Sequence, residues 1–121
     1  MSTLALAMIV LVALLHLYFL VLEMFLWTTP RGRRIFGLTP EFAQASKRLA
    51  ANQGLYNGFL ATGLLWGASL GADGRAVAIF FLLCVIVAGI FGAATVNRRI
   101  LWVQAAPAAV ALLLAVLASP A

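Results

Sequence analysis

Charge is what this sequence has least of. Only 9% of its 121 residues are Asp, Glu, Lys or Arg, against roughly 25% in ordinary soluble domains. Three acids are present (Glu23, Glu41 and Asp73), with one histidine, His16, and one cysteine, Cys84. A lone cysteine excludes an intramolecular disulfide and any multi-cysteine metal site, and it reads as a small buried apolar side chain. One histidine and scattered acids give too few ligands for a zinc centre, so no metal is expected. Redox-cofactor motifs, glycine-rich phosphate loops and nucleophile elbows are also missing, so no cofactor is expected. No Lys or Arg precedes Arg31. The first apolar run exceeds a signal core in length and holds His16 and Glu23, so it reads as a retained span rather than a cleaved leader.

What is abundant is apolar. Hydrophobic residues make up 65% of the chain and the mean hydropathy is +1.12. A spanning helix needs about 20 mostly apolar residues. Runs of that kind lie at about residues 4–27, 50–71, 75–96 and 100–118. They predict an all-α membrane protein: a four-transmembrane-helix bundle forming a single domain over residues 1–121.

The net charge of +5 raises nucleic acid as a partner, but the basic residues fall at span ends, so that class is excluded. Arg31, Arg33, Arg34, Lys47 and Arg48 lie between the first and second runs, and Arg98 and Arg99 between the third and fourth; Arg75 stands alone between the second and third. Cytoplasmic loops collect Lys and Arg. Both termini are therefore expected on the non-cytoplasmic side of a multi-pass protein. The basic loops are expected to touch anionic lipid headgroups, at about 1 kcal/mol per residue. GADGR, at residues 71–75, reads as an outer turn.

The first loop is the one long connection. Pro30, Gly32 and Gly37 argue against a continuous helix through it. Thr39-Pro40-Glu41 is a helix start, with a capping hydroxyl, a first-turn proline and an acid near the positive helix end. A short amphipathic segment at the inner interface is predicted to run on into the second span.

The polar residues inside the apolar runs are the candidate site. His16 and Glu23 are seven apart, so they differ by about 20° around a helix, and Trp27 extends the same stripe. Ionisable groups within a membrane normally face protein or water and mark function. Asn52, Gln53, Tyr56 and Asn57 crowd the start of the second run, and Gln104 the start of the fourth. At about 1.5 Å rise per residue, Glu23, Asn52, Gln53, Asn57 and Gln104 all fall within about 10 Å of the inner boundary, with His16 nearer mid-membrane. An unpartnered amide in hydrocarbon costs several kcal/mol, so these groups are expected to meet around one polar pocket. Amides can also serve only as glue between helices. Glycines at four-residue spacing (Gly54 and Gly58; Gly63, Gly67 and Gly71) and the small residues Ala88, Gly89, Gly92 and Ala93 favour close helix contacts. Pro107 frees the carbonyl of Val103 and is placed to kink the fourth helix beside Gln104, or to be a tolerated packing detail.

The stretches HLYFLVLEMFLWTTPRGRRIFGL, LAANQGLYNGFLATGLLWG and NRRILWVQAAPAA resemble the small bacterial membrane family catalogued as domain of unknown function 1304. The resemblance covers nearly the whole chain. It implies four spans and a bacterial inner (plasma) membrane, and no activity. Some members carry the label epimerase, which no cofactor motif accompanies here. His16, Glu23, Asn52, Gln53, Tyr56, Asn57 and Gln104 all lie within the matching stretches.

Three functions stay open. Proton-linked binding or transport of a small molecule would use Glu23 to exchange a proton against substrate, with His16 extending the path outward. An intramembrane isomerase or epimerase on an apolar substrate would use His16 and Glu23 as acid and base and the amides to hold a carbonyl or hydroxyl. A structural or assembly role would need no chemistry at all. Oligomerisation is left open.

Overall fold

The structure is a computed structural model and describes residues 1–117. It is all-helical, with no strand among the described residues. In chain order the elements are α1 (Thr3–Met24), α2 (Pro30–Phe36), α3 (Pro40–Ser69), a 3-10 turn (Gly71–Gly74), α4 (Arg75–Thr95), a π-helical turn (Leu101–Ala105) and α5 (Ala106–Leu117). Ala118, the expected end of the fourth run, lies outside the described residues. Two helical stretches, Thr3–Met24 and Gly71–Thr95, are long and apolar enough to cross a membrane. α3 is longer, but its first turns carry Glu41, Gln44, Lys47 and Arg48, and Leu101–Leu117 falls short of the usual spanning length.

The helix bounds differ from expectation in three places. α1 stops at Met24 rather than near Trp27. The Leu26 N–H reaches back to the Val21 carbonyl at 3.2 Å, and the Phe25 N–H takes the same acceptor at 3.0 Å. Trp27 therefore leaves the His16–Glu23 stripe. Its ring packs against Phe36 at 4.8 Å and its Nε1 donates to Ser46 Oγ at 3.0 Å.

The second difference is that the first loop contains a helix. Pro30 does not break it but opens it, because a first-turn proline needs no N–H partner. Thr29 is the cap: its hydroxyl accepts from the Gly32 N–H and donates to the Leu26 carbonyl at 2.6 Å. Gly37, at φ 66°, ends the helix in the left-handed conformation that glycine tolerates, and the Leu38 N–H closes on the Arg33 carbonyl at 2.8 Å. Gly32 is buried because a side chain there would strike the Leu26 carbonyl.

α3 begins at Pro40, where the Thr39 hydroxyl accepts from the Phe42 N–H at 3.1 Å. It continues without a break to Ser69.

The third difference is at Pro107. The chain absorbs the missing N–H with a wide turn over Leu101–Ala105, in which the Ala106 N–H reaches the carbonyl of Leu101. Gln104 lies within that turn, half-buried. Extra-residue turns of this kind are a usual way for a helix to re-pair its backbone near a proline.

The chain divides into two compact units. One is Leu15–Phe59; the other is Met1–Leu14 with Leu60–Ala121. In the second, the core is built from Ala5, Ile9, Val12 and Ala13 of α1, Ala61 and Leu64 of α3, Ala78, Leu82 and Val85 of α4, and Ala108, Ala111 and Ala115 of α5. Small residues face inward, while Phe80, Val87, Phe91 and Leu113 stay exposed. Alanines thus share the core with Ile9, Val12, Leu64, Leu82 and Val85, and small inward residues suit helices that approach closely. A Cβ on Gly67 would come within 3.1 Å of the Ala78 Cα, and one on Gly89 within 2.8 Å of the Ala105 nitrogen. Arg75 Nη2 donates to the Val116 carbonyl, in the last turn of α5, at 2.6 Å.

Candidate functional site

The unit Leu15–Phe59 holds most of the polar candidates. Glu23 is in the last turn of α1 and is 3% exposed. An ionised carboxylate only accepts hydrogen bonds, so burial demands donors around both of its oxygens. α3 supplies them. Asn57 Nδ2 donates to Oε1 and Gln53 Nε2 to Oε2, each at 2.5 Å. The two amides are one helical turn apart, so they project from the same face. Each carboxylate oxygen thus receives one neutral donor.

The backbone explains why the reach is short. Gly54 stands between the two amides in sequence, and its absent side chain lets α3 settle against α1. A Cβ there would lie 2.7 Å from Met24 Cγ, 3.1 Å from Glu23 Cβ and 3.3 Å from the Leu20 carbonyl. Gly58, one turn on, would bring a Cβ within 2.8 Å of Leu20 Cδ1. The pair expected to bring helices together therefore does so beside Glu23, and the amides are carried to the carboxylate by that approach.

His16 is fully buried and meets the Phe19 ring edge-on at 5.3 Å. It sits two turns before Glu23, about 10.5 Å along the helix axis, which is beyond direct hydrogen-bond reach. Asn52 and Tyr56 are exposed, and Tyr56 meets Phe59 edge-on at 5.6 Å. They lie on the neighbouring face of α3, about 60–100° from Gln53, which turns them off the side that meets Glu23. Gln104 belongs to the other compact unit. Of the seven candidates, Glu23, Gln53 and Asn57 form one bonded cluster. Among the described residues no three His, Cys, Asp or Glu side chains converge as a metal site would need.

Glu23 is also reached from outside. A cleft of about 260 Å³ is lined by Glu23, Met24, Phe25, Trp27, Thr28, Lys47, Arg48 and Ala51. Lys47 and Arg48, expected chiefly at lipid headgroups, line this cleft as well. The signal was available: Lys47, Ala51, Gly54 and Gly58 follow at steps of four, three and four, which is one helical stripe. That stripe carries the lysine onto the side of α3 that meets α1. The result is a cleft lined by a buried acid, two cationic residues, a threonine and a tryptophan.

The chain is 29% identical over 115 residues to the uncharacterized protein YpaA of Lactococcus lactis subsp. lactis (strain IL1403), covering 93% of this chain and 97% of that one. No solved structure matches it. The model of the family described as protein of unknown function (DUF1304) matches residues 10–116, a stretch that takes in His16, the Glu23–Gln53–Asn57 cluster and the cleft beside it, and the chain belongs to that family.

Proposed function

We propose that this protein is a four-span bundle of the bacterial inner membrane, with both termini outside, which binds or transports a small molecule in a proton-linked manner at Glu23. The observation that carries this reading is a carboxyl group that is nearly water-free and held by two neutral amides, on a residue that lines a cleft. Neutral amides fix the position of a carboxyl without cancelling its charge. Such a group holds either a proton or a cationic ligand, and competition between the two couples their movements. Lys47 and Arg48 from α3 face the same cleft, and His16 stands further along α1.

The exposed guanidinium-bearing residues Arg31 and Arg34 of α2 suit contact with anionic headgroups at the cytoplasmic face. An isomerase reading gains no support from the separation of His16 and Glu23.

Purified protein in vesicles, with a pH gradient imposed, tests the reading. Gradient-dependent uptake or efflux of one member of a broad panel of small amines and zwitterions, lost in Glu23→Gln, is expected. Absence of any gradient-dependent flux across the panel would refute proton-linked transport.

A further inference from the structure

We propose that the cleft beside Glu23 recognises a primary amine joined to a phosphate by a short link, as in ethanolamine phosphate, with the ammonium toward Glu23 and the phosphate toward Lys47, Arg48 and Thr28. This rests on the reading above only in taking that cleft as the binding site.

The charges decide the class. Glu23 is 3% exposed, and its partners Asn57 and Gln53 bring donors but no charge. A buried carboxylate is well served by a compensating cation, and an ammonium offers three N–H donors. Each Glu23 oxygen accepts one amide bond and retains lone-pair capacity for another. Lys47 and Arg48 line the same cleft and belong to no cluster with Glu23. Both are exposed, and the exposed Thr28 lines the cleft with them. Cations paired with a hydroxyl suit a phosphate, whose oxygens accept several charge-assisted bonds.

A simple amine would satisfy Glu23 and leave two cations beside it repelling the newcomer. A simple anion would satisfy the cations and meet the carboxylate. Only a ligand carrying both charges, in that order, gains at both ends. The cleft, at about 260 Å³, holds such a molecule, and Trp27, Phe25 and Met24 supply the apolar wall for its carbon link or for the glycerol of a lipid. The same chemistry is available as a soluble amine phosphate and as a phosphatidylethanolamine headgroup.

The test uses Trp27 as reporter, in delipidated full-length protein carrying Trp66→Phe and Trp102→Phe. Phosphoethanolamine, ethanolamine and inorganic phosphate are titrated separately. Saturable quenching by phosphoethanolamine is expected, with each half-ligand at least about tenfold weaker. Glu23→Gln, and separately the double variant Lys47→Gln with Arg48→Gln, should each weaken phosphoethanolamine by about 30-fold or more. Inorganic phosphate binding as tightly as phosphoethanolamine would reduce the site to a basic rim and overturn the proposal. So would ethanolamine binding as tightly, or no saturable response. The half-ligand comparison uses unsubstituted cleft residues, so it decides even if a variant misfolds.

Nanodiscs separate the sources. A Trp27 shift in phosphatidylethanolamine discs, missing in phosphatidylglycerol discs and lost in Glu23→Gln, assigns the lipid headgroup; a response to the free compound alone assigns the soluble one. Tight binding without gradient-driven flux keeps this inference and removes transport. Flux of an unrelated compound with no such binding does the reverse.

Discussion

Two amides around one carboxylate make a demanding arrangement for the residues involved, since each loses water and must be repaid in place. Asn57 is buried with Glu23, whereas Gln53 reaches in from an exposed position. Their replacement should therefore differ. Asn57→Leu removes a donor to a buried carboxylate and should cost about 1.5–3 kcal/mol of stability. Gln53→Leu should cost less, because water can take over at the rim. Thermal unfolding in one detergent measures both, and equal losses would contradict the burial difference. Gly54→Leu should be worse for function than for stability. Overpacking costs about 1–3 kcal/mol, but pushing α3 off α1 also withdraws both amides from Glu23, so cleft binding should vanish in folded protein. Folded Gly54→Leu with normal binding would show that the close approach is not what positions the amides.

Much at this scale was legible in the sequence. Membrane cost singled out Glu23, and the crowding of Asn52, Gln53, Tyr56 and Asn57 marked the region that meets it. What could not be read was which of the four turns inward. Depth in a bilayer follows from counting residues, but facing depends on where the helix contacts its neighbour. Here Gly54 and Gly58 set that contact, and they select Gln53 and Asn57 over Asn52 and Tyr56.

Elements were legible where propensity and hydropathy agree. α4 covers Arg75–Thr95 against an expected 75–96, and the α3 start rests on the Thr39 cap that its sequence announces. They were illegible where one residue type has two meanings. Pro30, Gly32 and Gly37 were read as barring one continuous helix through the loop, which they do, but the short helix that Pro30 opens was not read; the Thr29 cap before it and Gly37 after it decide that helix. Pro107 left a kink and a tolerated packing detail equally open, and it follows a wide turn that neither reading named. Thr29→Ala should cost about 0.5–2 kcal/mol, through loss of the α2 cap. α2 leads into the segment that carries Ser46, Lys47 and Arg48, so amide hydrogen exchange over residues 30–36 should accelerate in that variant. Unchanged exchange there would mean the cap is dispensable. On the other side, Gly89→Val meets the backbone of Ala105 at close range and should lower the melting temperature.

Across the whole molecule, the proposed four-span topology would place seven of the eight basic residues on one side and Arg75 on the other, and the positive-inside rule would then put both termini outside. In a Cys84→Ala background, Ser2→Cys should react with a membrane-impermeant maleimide applied to spheroplasts, and Gln44→Cys only after lysis. The reverse pattern would invert the proposed topology and open the Glu23 cleft, with its Lys47 and Arg48 rim, to the outside.

The most direct measurement is proton movement itself. Vesicles containing a pH-sensitive dye are loaded with protein and given an outward gradient of phosphoethanolamine with no pH difference. The account predicts that the gradient drives a pH change inside wild-type vesicles and none in folded Glu23→Gln vesicles. Equal pH changes in the two would contradict it, because the carboxyl would then not be the group that exchanges proton for ligand.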